Sequence, residues 1–191
     1  MPDPYETYKS ETSKYLLLTR PYCYTDPRVM DTPGCGIDIG SQGEPVVPWA
    51  MQVDLPYHEF AEYNDNHLPR GPIQIRTDAR MLPFTSNSLD FVYSSHLLED
   101  FLIWSPCLIE WTRVLKPGGY LIILIPDKEL WAQAIANGQC PNCNHKHEGK
   151  VGELSQAILE LQFPIDVIED RLTACHPGDY SILFVGKKKL L

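Results

Sequence analysis

No stretch of this sequence approaches the roughly 20 consecutive apolar residues that a helix needs to cross a bilayer, so no membrane span is expected. The N-terminus, MPDPYETYKSET, has neither a basic opening nor an apolar core, and it does not read as a signal peptide. Basic charge is scarce: 16 Lys and Arg stand against 25 Asp and Glu, a formal charge of −9. That sign disfavours broad electrostatic capture of DNA or RNA. Cysteine is thin and scattered, at 23, 35, 107, 140, 143 and 175. Such spacing gives poor support to a disulfide framework and fits a reducing cytoplasm. There is also no internal repeat and no low-complexity tract.

What the sequence does hold is a core. Hydrophobic residues make up 43% of the 191 residues, which excludes wholesale disorder and leaves room for one α/β domain over 1–191. The 17 prolines predict rigid connections rather than long helices. Residues 4–18 form a polar helix candidate with Tyr5, Tyr8 and Tyr15 at helical spacing, joined by a connection over 19–33 to a core over 34–191. Short strands are predicted at 34–40, 49–55, 73–78 and 90–95, and a continuous apolar strand at 120–125. Trp104, Leu108, Trp111 and Leu115 make the stripe of a core-facing helix that Pro117-Gly118-Gly119 stops. Asp127 can cap a helix running to about 137, which Gly138 can end. Residues 140–150 read as a loop and 152–162 as a helix, with closing strands at 164–170 and 179–188. The tail KKKLL reads as solvated. Strands alternating with helices imply a doubly wound, mostly parallel sheet with helices on both faces. Ligands of such sheets sit beyond the carboxyl ends of the strands.

Those ends carry chemistry. GIDIGSQGE places Asp38 before a glycine turn that lets backbone approach a ligand. Asp54, ending the second strand, is placed to accept from ribose hydroxyls, although alone it could merely cap a loop. Asp78 and Ala79, in TDARMLPF, could accept from an exocyclic amine and donate a backbone N–H, or simply form an Asx-type turn. His96 sits just past SS at 94–95, where a lone histidine is more often structural than catalytic.

Together, DIGSQG, VDL, DARMLPFTSNSLDFVYSSHLLED and EWTRVLKPGGYLIILIP resemble a class I S-adenosylmethionine-dependent methyltransferase of the small-molecule (type 11-like) branch. The resemblance spans 34–126 and is most specific over 78–126. It implies a Rossmann-like seven-stranded sheet and S-adenosylmethionine as cofactor, with S-adenosylhomocysteine as product. Asp38, Gly40, Ser41 and Gln42 would lie beside the methionine end, Asp54 and Leu55 at the ribose, and Asp78 and Ala79 at the adenine. Ser94 and Ser95 would line the pocket, and His96 would face the transferred methyl as the catalytic residue. Glu110, Arg113 and Pro117–Gly119 would be architectural. The family's loop reads D-x-G-x-G-x-G, whereas here Gln42 and Glu44 replace the second and third glycines. Only 15 residues separate Asp38 from Asp54, and Pro45 and Pro48 lie among them. The first crossover helix is therefore expected to be shortened or missing.

The expected acceptor is a small molecule or saccharide. Methyl transfer needs alignment first, and a neutral acceptor gains from a base, for which His96 is best placed; Glu99 or Asp100 could orient it or bind substrate. The N-terminal tyrosines, 57–70 and 126–150 are candidate lid and walls. Cys140, Cys143, His145 and His147 contain a zinc half-site, but His-x-His is tighter than usual, so zinc is not adopted. An alternative from the resemblance is that His145 or His147 faces the acceptor. Two rival functions stay in view: a partner subunit that keeps the fold without the chemistry, and a nicotinamide-dependent oxidoreductase. The latter needs G-x-G-x-x-G opening a long helix, and only Gly40-Ser41-Gln42-Gly43 is present. Homo-oligomerisation is left open.

Overall fold

A computed structural model of the chain describes residues 36–56, 69–138, 145–173 and 180–190. The N-terminal helix candidate, Cys140, Cys143 and most of the 57–70 wall lie outside the described residues.

Seven strands form one sheet: β1 (Gly36–Ile39), β2 (Met51–Asp54), β3 (Ile75–Arg76), β4 (Leu89–Ser95), β5 (Leu115–Pro126), β6 (Ile165–Leu172) and β7 (Ser181–Lys188). Their order is β3-β2-β1-β4-β5-β7-β6. The first five run parallel, and β7 enters antiparallel between β5 and β6. The order reverses between β1 and β4, so the ends of these two strands open the crevice where such sheets bind ligands.

Strand alternation divides the core between the two faces. Ile37, Ile39, Val53, Val92, Leu121, Ile123, Ile125 and Phe184 share one cluster with helix α1 (Ser105–Val114) and helix α3 (Glu153–Glu160). Phe91, Tyr93, Ile122, Leu124, Leu183 and Val185 form a second cluster on the other face, joined by Val46 and Ala50. Helix α2 (Lys128–Ala136) is capped by Asp127, whose carboxylate accepts from the backbone N–H groups of Glu129 and Leu130, the arrangement its sequence predicts.

The connection from β1 to β2 contains no helix, as the prolines require. It turns through Gly40, Gln42 and Gly43, all at positive φ. Gly43 (φ 90°) crosses the backbone of Gly71 so closely that a Cβ there would overlap it. Arg70 N donates to Gln42 O at 2.7 Å and locks this crossing.

Element limits differ from the sequence expectation in two instructive places. Leu115, predicted as the last residue of the helical stripe, is extended (φ −66°, ψ 135°) and opens β5 by pairing with Leu89. Pro117 two residues later disfavours helix, and the pairing then shifts register to Phe91 with Tyr120 across Gly118, at φ 82°. The third strand shrinks from six expected residues to Ile75–Arg76, because it is the sheet edge and follows Pro72.

Candidate active site

The carboxyl ends of β1 and β4 enclose a pocket lined by Asp38, Gly40, Ser41, Glu44, Val46, Tyr93 and Ser95. Of the predicted residues it gathers Asp38, Gly40, Ser41 and Ser95. Asp38 is buried, and its Oδ2 accepts from Val46 N at 2.6 Å, which folds the helixless connection back over the strand end. Glu44 was read in the sequence only as a missing glycine. In the structure it brings a second carboxylate to the pocket, and an ion pair with Arg70 at 2.9 Å holds it. Tyr93 was also missed, although its position two residues before Ser95 on β4 puts both on one face.

Asp54 lies at the adjacent strand end, outside that lining. Its two oxygens accept from Gln42 N (3.0 Å) and Leu55 N (2.9 Å), so Gln42 and Leu55 act here through backbone. Each carboxylate oxygen retains a further lone pair for a ligand. Burial pushes the Asp54 carboxyl above its ordinary range, against the two N–H bonds and the charge of Arg76.

Asp78 follows β3 and is engaged by Arg80. Oδ1 accepts from Arg80 N (2.8 Å) and Nε (2.9 Å), and Oδ2 pairs with the guanidinium at 2.5 Å. The hydrogen bonds from Arg80 hold the Asp78 carboxyl below its usual range. Ala79 is buried, and its carbonyl accepts from Trp111 Nε1 at 2.9 Å. Behind this loop, Glu110 accepts from Leu82 N at 2.7 Å while Arg113 donates to Phe84 O at 2.8 Å and Leu82 O at 3.2 Å. The pair thus holds the segment that carries Asp78 and Ala79. Ser94 is buried and donates to Ile39 O at 3.3 Å, bracing β4 against β1.

His96 leaves β4 at φ 52°. Its Nε2 lies 3.0 Å from Ser181 Oγ and its Nδ1 3.4 Å from Glu99 Oε1. Of the two acids expected to orient it, Glu99 is the one within ion-pair reach. His145 also approaches Glu99 Oε1, at 3.5 Å, while His147 pairs with Glu153 at 2.8 Å. The two histidines of the Cys–His loop therefore turn to different partners. Among the described residues no group of three or more His, Cys, Asp or Glu is set to hold a metal ion, and no helix is long and apolar enough to cross a membrane. Ser181 reaches His96 through the antiparallel pairing of β7 with β5, a long-range register that no local sequence signal carries.

Two carboxylates on one pocket and a third beside it suit a ligand with a cationic end and ribose hydroxyls. Comparison with known proteins agrees in kind. Residues 38–123 match the Methyltransferase domain family. No curated protein matches the sequence. Among solved structures, a Thermotoga maritima S-adenosylmethionine-dependent methyltransferase, described as a possible histamine N-methyltransferase, superimposes with TM-score 0.59 at 20% identity, covering 97% of this chain and 100% of that one. A chain from the complex of the Haloferax volcanii Trm112 activator with a methyltransferase gives 0.61 at 13% identity, covering 97% and 94%. A Mesorhizobium loti S-adenosylmethionine-dependent methyltransferase gives 0.57 at 15%, covering 84% and 95%. At such identities these structures speak for the fold alone. The chain thus carries a match to the methyltransferase domain over residues 38–123, on a seven-stranded sheet with the Rossmann-like fold of class I S-adenosylmethionine-dependent methyltransferases.

Proposed function

We propose that this protein transfers a methyl group from S-adenosylmethionine to an oxygen or nitrogen atom of a small-molecule or saccharide acceptor by in-line displacement. The observation that carries the reading is the placement of Asp38, Asp54 and Asp78 at the ends of β1 and β2 and just beyond β3, within the span that matches the methyltransferase domain. The bound cofactor supplies a methyl group already activated on a sulfonium, so the protein's task is binding, alignment and exclusion of water. Asp38 and Glu44 would receive the cationic methionine end beside Gly40, Ser41 and the backbone of Gln42. Asp54 and Leu55 would hold the ribose, and Asp78 and Ala79 the adenine. For Asp78 this means sharing a carboxylate that Arg80 already engages. Ser94 and Ser95 close the pocket on the β4 side. As the acceptor atom takes the methyl, its proton passes to His96, and S-adenosylhomocysteine leaves.

Calorimetric titration of the purified protein with S-adenosylmethionine, S-adenosylhomocysteine and NAD tests the reading. Micromolar binding of the first two and none of NAD is the expected result. A second reading rests on the loop departures at Gln42 and Glu44, namely a methyltransferase-fold subunit that supports a partner. Absence of binding by folded protein would overturn the first reading in favour of that one.

A further inference from the structure

Glu99 is the most deeply buried acid among the described residues. Its side chain is 0% exposed, and neither carboxylate oxygen has a hydrogen-bond partner. An orphaned carboxylate is not tolerated in a protein interior unless cations or N–H donors face it. Two imidazoles do so, from segments 49 residues apart in the sequence. His96 Nδ1 stands 3.4 Å and His145 Nε2 3.5 Å from the same oxygen, Oε1. Both separations are ion-pair contacts a few tenths of an ångström longer than a hydrogen bond.

The geometry around the trio is built rather than incidental. The Glu99 carbonyl accepts from Lys146 N (2.9 Å) and His147 N (3.1 Å), so one residue pins the 145–148 segment with its backbone and faces His145 with its side chain. Trp131 of α2 stacks on the His145 ring at 4.6 Å and 28°. Tyr180 meets His96 edge-on at 5.6 Å and also packs against Trp131 at 4.8 Å. Among the described residues Glu148 also comes near the cluster, 3.8 Å from His145 Nδ1, and Asp100 follows Glu99 in the chain.

We propose that Glu99 and His145 are positioning residues for His96: the buried carboxylate fixes His96 with its proton on Nδ1 and His145 with its proton on Nε2, leaving Nε2 of His96 as the basic nitrogen. The inference rests on the methyltransferase reading for its purpose but not for its test. In the transfer step the acceptor's bond to the methyl carbon would form as the methyl–sulfur bond of the sulfonium breaks, with its electron pair returning to sulfur, while the acceptor's O–H or N–H bond gives up its proton. The proton moves to His96 Nε2, and the imidazolium so formed faces the negative charge of Glu99 through Nδ1–H. Ser181 Oγ, 3.0 Å from Nε2, can donate to that nitrogen until the acceptor arrives. His145 supplies the second donor that keeps Oε1 between the two rings, so that neither ring turns away.

Long-range proton–nitrogen NMR spectra of the imidazoles, recorded on the full-length protein at neutral pH without ligand, test this directly. The expected wild-type result is the Nδ1–H tautomer at His96 and the Nε2–H tautomer at His145. Glu99→Leu removes the acceptor, and His96 should revert toward the Nε2–H form. Glu99→Gln keeps an acceptor oxygen and should retain the Nδ1–H form. Burial lowers the His145 titration and the charge of Glu99 partly restores it, so both variants should titrate His145 at lower pH than wild type. A wild-type His96 that carries its proton on Nε2 would overturn the proposal, as would an unchanged tautomer in Glu99→Leu. If the leucine variant does not fold, an unmoved His145 titration in Glu99→Gln overturns it. Failure to bind S-adenosylmethionine would remove the proposed function without altering any of these spectra.

Discussion

Under the proposed function, Asp54 couples ligand binding to pH. Burial raises its carboxyl above the ordinary range, and the N–H bonds from Leu55 and Gln42 only partly oppose this. A raised value means that the group takes up its proton at a higher pH than an exposed aspartate does. The acceptor sites that the proposed function gives to the ribose are then lost before most surface carboxylates titrate. The affinity for S-adenosylmethionine should therefore fall as pH is lowered into the range just above the usual aspartate value. The same shift sets the sign for stability. The folded state binds this proton more tightly than the unfolded state does, so keeping Asp54 charged costs the fold stability that would return as pH falls. Asp54→Ala should accordingly leave the fold intact while removing charge-assisted hydrogen bonds worth about 1.5–3 kcal/mol, roughly 10- to 100-fold in Kd. It should also flatten the pH dependence. Calorimetry at several pH values checks both outcomes, and unchanged affinity at neutral pH would remove Asp54 from the site.

At the scale of elements, helix α1 serves the site through the loop it grips. Glu110 and Arg113, three residues apart, lie on one helical face and clamp residues 82–86 through Leu82 N, Leu82 O, Phe84 O and Ser86 Oγ. A lysine cannot reproduce that fork of donors. Arg113→Lys should cost about 1–3 kcal/mol, since carbonyls at Leu82 and Phe84 lose partners, and urea denaturation would read the loss. Hydrogen bonds from Arg113 hold the Glu110 carboxyl below its ordinary value. Its contribution is thus present above the unfolded carboxyl's range and lost only as pH falls through the lower folded value. The local motif of Glu110 and Arg113 before Pro117-Gly118-Gly119 made an architectural role legible by resemblance, but not the grip on residues 82–86. Asp127 as cap and the helixless turn after β1 were legible directly, each being a local matter of proline, glycine or a capping side chain. The rest was not local. Leu115 belongs to the helical stripe by period, yet its pairing with Leu89 across the sheet decides its conformation. Glu99 looks like one of two interchangeable acids beside His96, and only packing buries one of them completely. Ser181 meets His96 because β7 runs antiparallel to β5, a register set by the whole sheet.

Across the molecule as a whole, the strand ends to which the proposed function assigns the cofactor are the least supported part of the sheet. β3 contributes two residues at the edge, β2 and β1 four each, while β5 runs for 12 beside β7. The connection after β1 is held by scattered contacts, among them Asp38 to Val46, Asp54 to Gln42, Arg70 to Gln42 and Glu44, and the crossing of Gly43 over Gly71. A ligand that touches Asp38, Asp54 and Asp78 at once would tie these three strand ends together, and because the unfolded chain has no such site, binding adds to stability by mass action. At about 100 times Kd the gain is about 2.7 kcal/mol. For a chain of this size that corresponds to a rise of roughly 5–11 °C in Tm. Thermal unfolding with S-adenosylmethionine or S-adenosylhomocysteine should show this rise, NAD should not, and Asp54→Ala should shrink it at equal ligand concentration. The net charge of −9 adds a control, because nonspecific attraction of a cation is screened by salt. A rise that survives 0.5 M salt reports the built site. A rise that salt abolishes, or that any polyamine reproduces, would mean that the acidic surface alone attracts the cofactor, and the assignment of the three aspartates would fall with it.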